Sequence, residues 1–205
     1  MKSISKTIVL FVALALLMPM LATAKGGQTT RGNNREVVTV TLYPEDESTL
    51  LWMREEEKLA RDVYLAMDDR WNKRVFRNIA SSEQQHMDAL LRQINSFNLV
   101  DPVVPGRGVF YSDELQSLYT ELVEKGQQSY VDALEVGATI EDLDIDDLMK
   151  AIDATDNLAL KMTYQSLLEG SKNHLRSFIG LLQQQGVSYD PQFISQELFD
   201  AIIDG

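Results

Sequence analysis

Residues 74–97 read RVFRNIASSEQQHMDALLRQINSF, and this stretch decides the fold class. Its apolar side chains recur at steps of three and four residues, which is the period of an amphipathic α-helix. Two ionisable residues, Glu83 and His86, fall on the same stripe. The stripe consists of Phe76, Ile79, Ala80, Glu83, His86, Leu90 and Ile94. Because buried charges are normally paired or bound to a metal, the pattern predicts a helix that turns a functional carboxylate and imidazole inward.

The same period predicts three further long helices, and no strand-rich segment competes with them. We expect the first to begin after Ser48, which is a plausible N-cap, the third to begin near Ser129, and the fourth to span about residues 155–185. Gly137 weakens the third helix, so Thr139 is an alternative start of a new helix there. The sequence predicts an all-α, four-helix bundle.

The segment between the second and third long helices is long and interrupted. Prolines and glycines fill residues 98–108, which we expect to form a loop. A short helix should follow from Ser112 or Asp113 to Glu124 and end at Gly126. The bundle is therefore predicted to have a long crossover that contains a short extra helix.

Each of the other long helices also carries an ionisable residue that faces inward. Glu57 is the only charged residue on the stripe of the first helix, and Glu56 on the neighbouring stripe is a second candidate. Glu141 with Asp144 lies on the third helix, and His174 on the fourth. In four-helix carboxylate proteins, two helices each supply a Glu and two supply a Glu-x-x-His pair. Oxygen donors and imidazoles in this arrangement predict a site for two iron or manganese ions.

The fourth helix lacks one carboxylate of that pattern. A second Glu-x-x-His would need a glutamate where this chain has Ser171, and Glu169 lies roughly 140° off the face of His174. A π-bulge at Gly170 would bring Glu169 inward, whereas a regular helix would leave the second ion weakly bound. Asp144 is either a ligand or a helix cap. The remaining acidic residues of the third helix are expected to be solvated and to have no role: Asp142, Asp146 and Asp147.

Composition excludes several classes of protein. The formal net charge of -12 disfavours a nucleic-acid partner, whose phosphates would be repelled. The chain contains no cysteine, so disulfides, thiolate catalysis and cysteine-ligated zinc or iron–sulfur sites are excluded.

The first residues are typical of a signal peptide. A short basic region with Lys2 and Lys6 precedes an apolar run over residues 8–21, and Ala22-Thr23-Ala24 offers a small-residue cleavage site. We therefore expect residues 1–24 to be removed on export to the periplasm or the outside of the cell. Residues 25–48 would form a flexible lead-in, residues 49–186 the bundle, and residues 187–205 a C-terminal amphipathic tail.

Four blocks resemble the ferritin-like proteins grouped as domain of unknown function 2202, which are related to rubrerythrin-type di-iron carboxylate proteins. The blocks are EEEKLARDVY (55–64), NIASSEQQHM (78–87), ALEVGATIEDLDIDDL (133–148) and GSKNHLRSF (170–178). The resemblance implies a ferritin-like bundle and a set of metal ligands. That set is Glu57, Glu83, His86, Glu141, Asp144 and His174, with Tyr64 as a hydrogen-bonding neighbour.

The resemblance also implies an activity. Rubrerythrins reduce peroxide and ferritins oxidise iron, so we expect an exported di-iron oxidase, peroxidase or ferroxidase that acts on oxygen or peroxide. Without a cysteine-ligated centre in this sequence, electrons would come from an external reductant or from incoming ferrous iron. The alternatives are a non-catalytic iron, manganese or zinc protein with a structural or sequestering role, and a metal-free helical bundle. The sequence leaves open whether the chain is a monomer or a homodimer.

Overall fold

The computed structural model of the protein describes residues 42–205, which form six α-helices and contain no β-strand. The helices are α1 (Pro44–Trp71), α2 (Arg74–Ser96), α3 (Asp113–Gly126), α4 (Tyr130–Ala154), α5 (Leu158–Gln184) and α6 (Gln196–Asp204). The predicted all-α class is confirmed for this part of the chain. The predicted signal peptide and most of the predicted lead-in lie outside the described residues. Across 42–205, no helix combines the length and apolar character needed to cross a membrane.

The four long helices form two hairpins that pack into a bundle. Only Asn72 and Lys73 separate α1 from α2, and three residues separate α4 from α5, so each pair packs closely along its length. The hairpins meet through contacts of α1 with α4 and of α2 with α5. The short α3, predicted as the extra helix of the crossover, packs on α1 and α4.

The crossover is fastened to α1 by a buried ion pair. Lys58 Nζ lies 2.6 Å from Asp62 Oδ2, and both side chains are almost completely buried. Lys58 also donates to the carbonyl of Val109, while Asp62 accepts from the backbone N–H of Gly108. Because each charge meets a partner and a backbone group, the pair fixes the loop that precedes α3.

The start of α1 differs from the prediction. The helix begins at Pro44, four residues before Ser48, and the Ser48 hydroxyl donates to the carbonyl of Pro44 inside the helix rather than capping it. Proline suits the first helical position because its missing N–H would have no partner there. Three acidic residues in the first turn then interact favourably with the positive N-terminal end of the helix dipole.

The glycine that weakened the prediction of α4 is a packing residue. The helix is continuous through Gly137, and a Cβ at this position would lie 2.5 Å from the ring of Phe178 on α5. The Thr139 hydroxyl donates to the carbonyl of Glu135 within the helix, so Thr139 caps no new helix. A missing side chain thus lets α4 and α5 approach each other.

The C-terminal tail docks on a residue that we expected to be solvated. Asp142 is completely buried, and its carboxylate accepts hydrogen bonds from the backbone N–H groups of Gln192, Phe193 and Ile194 and from the Tyr189 hydroxyl. The expectation that Asp142 has no role was therefore wrong. An apolar stripe could not reveal it, because its donors come from a loop fifty residues away.

Two apolar clusters fill the bundle, one towards each end. One contains Leu50, Leu90 and Leu148, and the other contains Val63 and Phe178, each with further members from the four long helices. On α1, α2 and α5, polar residues separate the segment that belongs to one cluster from the segment that belongs to the other. A polar layer therefore crosses the middle of the bundle.

Candidate metal centre

Five of the predicted ligands meet in this polar layer, and all five are buried. The side chains come from all four long helices: Glu57 from α1, Glu83 and His86 from α2, Glu141 from α4 and His174 from α5. The three carboxylates are at most 3% exposed, and the two histidines are 8–9% exposed. An ionised carboxylate in such a place needs a compensating positive charge.

The five residues form two groups that share one carboxylate. In the first group, ligand atoms of Glu57, Glu83 and His86 all lie within 4.8 Å of one another, and in the second the same holds for Glu83, Glu141 and His174. Ligands about 2.1 Å from a common ion lie roughly 3–4 Å from each other, so each group has the dimensions of one ion-binding site. Glu83 stands between the two sites.

Each oxygen of Glu83 faces a different imidazole. Oε2 lies 2.8 Å from His86 Nδ1, and Oε1 lies 2.8 Å from His174 Nδ1. The outer carboxylates complete the groups, with Glu57 Oε2 at 3.2 Å from His86 Nδ1 and Glu141 Oε2 at 3.4 Å from His174 Nδ1. The two imidazole rings stack with their centroids 5.6 Å apart.

Of these four contacts, only the one between Glu57 Oε2 and His86 Nδ1 has the geometry of a hydrogen bond. Neither oxygen of Glu83 has a hydrogen-bond partner among residues 42–205, and the same is true of His174 Nδ1 and Glu141 Oε2. The atoms are close to one another without being aligned along a donor–acceptor line. Buried polar atoms in native proteins are nearly always satisfied, so this arrangement indicates that something else belongs between them. One metal ion in each group, held by converging lone pairs, would satisfy all four atoms.

The second group has two hydrogen-bonding neighbours. The Tyr64 hydroxyl donates to Glu141 Oε1 at 2.5 Å, and Ser82 Oγ lies 3.0 Å from His174 Nε2. A partner on the far nitrogen of an imidazole fixes the ring orientation, and a hydrogen bond to the far oxygen does the same for a carboxylate. Sequence reasoning found Tyr64 but missed Ser82, because its position beside His174 depends on how α2 and α5 pack.

The first group has a steric neighbour instead. A Cβ at Gly170 would lie 2.5 Å from His86 Nε2 and 2.6 Å from Cε1. The glycine on α5 therefore leaves room for the imidazole on α2, whose Nδ1 can then face the carboxylates. The sequence pattern offers Gly170 only as the place of a π-bulge. The helix is regular there, and no bulge occurs.

Burial and charge shift the pKa values of the whole centre. Burial raises the pKa of Glu57 to about 7, and the positive charge of His86 only partly offsets this increase. Burial also raises the pKa of Glu141. For Glu83, interactions with His174 and His86 outweigh burial and lower the pKa to about 2. The surrounding carboxylates likewise outweigh burial at His86 and His174 and raise their pKa values to about 11 and about 10. Without a metal, imidazolium ions thus supply the positive charge that the carboxylates need.

The family of the chain follows from comparison with known proteins. The model of the uncharacterized protein domain DUF2202 matches residues 46–205. The chain belongs to the DUF2202 family. It is 51% identical over 160 residues to uncharacterized protein MJ0754 of Methanocaldococcus jannaschii, an alignment that covers 78% of this chain and 86% of the relative.

The fold of this DUF2202 chain is also that of a solved structure. The crystal structure of hypothetical protein MJ0754 from Methanococcus jannaschii superposes with a TM-score of 0.79 at 46% sequence identity. The superposition covers 86% of this chain and 98% of the other. The predicted family is therefore confirmed at the level of DUF2202.

Three remaining candidate ligands lie outside the two groups of the DUF2202 chain. Asp144 and Glu56 are buried next to the centre but belong to neither group. Glu169 is exposed and pairs with Lys172 on the same helix, so it cannot be a ligand of this centre. Ser171 occupies the place of the missing glutamate, where it is 1% exposed and donates to the carbonyl of Leu167. The carboxylate absent from the sequence is not replaced from α5.

Proposed function

We propose that the protein is a ferritin-like dimetal carboxylate protein that binds two iron ions and reacts with oxygen or peroxide. The observation that carries the proposal is the position of Glu83, whose two oxygens face two imidazoles without forming a hydrogen bond to either. A shared carboxylate between two His-carboxylate groups suits a bridge between two ions.

The donor set fits such ions in charge and in chemistry. Carboxylate oxygens and imidazole nitrogens suit iron, manganese and zinc, and the site offers no sulfur ligand. The layer contains five buried carboxylates, of Glu56, Glu57, Glu83, Glu141 and Asp144. When ionised they carry five negative charges, and two divalent cations would neutralise four of these. Binding would displace the protons from both histidines.

The residues of the centre would have distinct roles. Glu83 would bridge, while Glu57 with His86 and Glu141 with His174 would each complete one side. Tyr64, whose pKa is raised by burial and then by Glu141, keeps its proton and can hold Glu141 in place. A pair of ferrous ions would supply two electrons, which with two protons reduce peroxide to two waters. Burial of the ligands keeps bulk water away from the ions.

The test is metal loading followed by turnover. Protein freed of metal should take up two ferrous ions per chain under anaerobic conditions, by elemental analysis, and develop ferric near-ultraviolet absorption on exposure to air or peroxide. A variant with both Glu83→Ala and His86→Ala should lose the absorption. A matched control is Glu169→Ala, which removes an exposed carboxylate of α5. Wild-type protein that binds no metal would refute the proposal.

A second candidate is a protein that holds metal without turnover. Ser171 favours it, because a side with one carboxylate fewer than the Glu-x-x-His pattern offers an incomplete coordination sphere. Manganese or zinc would serve such a role as well as iron. Stoichiometric metal, together with no oxidation of ferrous iron and no consumption of peroxide, would identify this function.

We also propose that the protein acts outside the cytoplasm, because its first 24 residues have the pattern of a signal peptide. Mass spectrometry of protein from the native compartment would test it. A mature chain that begins near Lys25 is expected, and an intact N-terminus would contradict the proposal.

A further inference from the structure

Three carboxylates lead from the metal centre towards the surface. Asp144 and Glu56 are 7% and 6% exposed, and the side chain of Asp147 is 15% exposed. Glu141, Asp144 and Asp147 follow one another at intervals of three residues on α4, so each lies about 4.5 Å further along the helix axis than the last. Glu56 faces this row from α1. We call Glu56, Asp144 and Asp147 the acidic row.

Each member of the acidic row has an unpartnered oxygen. Oε2 of Glu56 and Oδ2 of both Asp144 and Asp147 are buried without a hydrogen bond in the described part of the chain. An unsatisfied buried carboxylate oxygen is costly, and three in a row are not expected by chance. The basic residues of the same stretch of α1 are engaged elsewhere, since Lys58 pairs with Asp62 and Arg54 pairs with Asp101.

Burial raises the pKa values of Glu56 and Asp144, and neighbouring negative charges raise both further. The charge that acts most strongly on Glu56 is that of Asp147, followed by that of Glu57. The charge that acts most strongly on Asp144 is that of Glu57, followed by those of Glu141 and Glu56. Because Asp147, Asp144 and Glu141 lie on successive turns of α4, the row runs along this helix from Asp147 to the proposed ligand Glu141.

A lysine stands at the outer end of the row. The ammonium group of Lys150 lies 3.1 Å from Asp147 Oδ1 and 2.6 Å from Asp146 Oδ2, and its side chain is 64% exposed. Because this side chain is flexible and exposed, its ammonium group can move away from the carboxylates when another cation arrives. Lys150 thus occupies the position where a divalent ion from solvent would first meet the row.

We propose that the acidic row is a transient site through which divalent cations pass from solvent to the Glu57, Glu83 and Glu141 centre. The proposal rests on the proposed metal centre and adds the route by which it is filled. Carboxylate oxygens are suitable ligands for a hard cation that exchanges its water in steps. A route lined with negative charge also raises the local cation concentration, so its effect is on rate.

The test is the rate of iron uptake under anaerobic conditions. Metal-free protein is mixed with ferrous iron, quenched with chelator at set times and desalted, and the bound iron is measured. Glu56→Gln and Asp147→Asn should each slow uptake by on the order of tenfold, while the final number of ions stays that of the wild type. Lys150→Gln should speed uptake. Glu169→Gln is the matched control, since it removes one exposed acidic charge that pairs with Lys172 on α5.

The outcomes separate this inference from the proposed function. A wild-type protein that binds no iron refutes the metal centre itself. If the wild type loads and both acidic-row variants load at its rate, or if the Glu169→Gln control slows equally, only the route is refuted. A lower final number of ions in Glu56→Gln, with an unchanged rate, would make Glu56 a permanent ligand and overturn the inference. Melting curves confirm that each variant is folded.

Discussion

The two halves of the candidate centre are built differently around the same carboxylate. In the half with Glu57 and His86, the imidazole has room only because α5 presents Gly170. In the half with Glu141 and His174, Tyr64 and Ser82 hold the ligands by hydrogen bonds. One half is shaped by the absence of a side chain and the other by polar contacts.

This difference explains why the Glu-x-x-His pattern is complete on α2 and incomplete on α5. Gly170 lets the α5 backbone lie against His86, and the next residue, Ser171, stands where a second glutamate would be. The second half compensates with Tyr64 and Ser82, which orient the ligands that remain. We therefore expect the halves to respond to different substitutions.

The largest effect should come from removing the residue that the halves share. Glu83→Ala should lower the affinity for both ions by more than about 100-fold. Loss of a bridging ligand should cost more than the 10–100-fold loss of affinity that follows when a residue hydrogen-bonded to a ligand is replaced. Calorimetric titration with manganese and elemental analysis after desalting would measure this. Glu83→Gln keeps the size of the side chain and should have the same effect. If one ion stayed bound at wild-type affinity in both variants, Glu83 would not be a bridge.

A substitution at Gly170 should break only the first half. Gly170→Ala would push against His86 and lower the metal content from two ions to one. The matched control is Gly180→Ala on the same helix, where an added Cβ meets nothing within 4 Å. This control should stabilise the protein by about 0.5–1 kcal/mol, because alanine is the better helix former. Two ions in Gly170→Ala would show that His86 is not confined by α5.

A change at Tyr64 should weaken only the second half. Tyr64→Phe removes the hydrogen bond to Glu141 and should reduce the affinity of one of the two ions by roughly tenfold. Tyr164→Phe serves as the control, since the Tyr164 hydroxyl is buried without a hydrogen-bond partner among the described residues. That control should leave both affinities unchanged. If Tyr64→Phe and Tyr164→Phe bound both ions with the same affinities, Tyr64 would have no role in the centre.

A last effect concerns both halves together and depends on pH. In the metal-free protein, Glu57 keeps its proton up to about pH 7 against an ordinary pKa of 4.5, and His86 and His174 keep theirs up to about 10–11 against 6.5. Because the native state binds more protons than the unfolded state, its free energy of unfolding falls as pH rises from about 4.5 to about 10.

Melting temperatures measured with chelator should therefore decrease between about pH 5 and pH 9. With metal present the decrease should vanish or reverse, because protons compete with the ions for the same ligands. A melting temperature of the metal-free protein that rises over this range would contradict the raised pKa values of Glu57, His86 and His174.

Much of the bundle was predictable from local signals. The stripe with Glu83 and His86 gave α2 within a residue at each end, and the caps Ser112 and Ser129 begin α3 and α4 as expected. The period also predicted that five candidate ligands face inward, since it depends only on which residues share a helix face. The start of α1 was missed because Pro44 at the first helical position was not recognised as a helix signal.

The errors concern residues whose surroundings come from distant parts of the chain. Gly170 was interpreted through the geometry of its own helix, although its role is set by an imidazole on α2. Asp142 lies in an acidic run that is expected to be solvated, yet its carboxylate is buried and anchors the C-terminal tail. Periodicity shows which face a residue occupies, but it does not show what covers that face.

The anchoring of the tail has a consequence for any shortened version of the protein. Glu141 and Asp142 are consecutive residues, so a single peptide unit links a proposed ligand to the fastening point of the last twenty residues. A truncation before Tyr189 would remove all four hydrogen-bond donors described above from the buried Asp142 carboxylate, in the residue next to a proposed ligand. Deleting the C-terminus is thus a perturbation of the bundle's interior, not the trimming of a loose end.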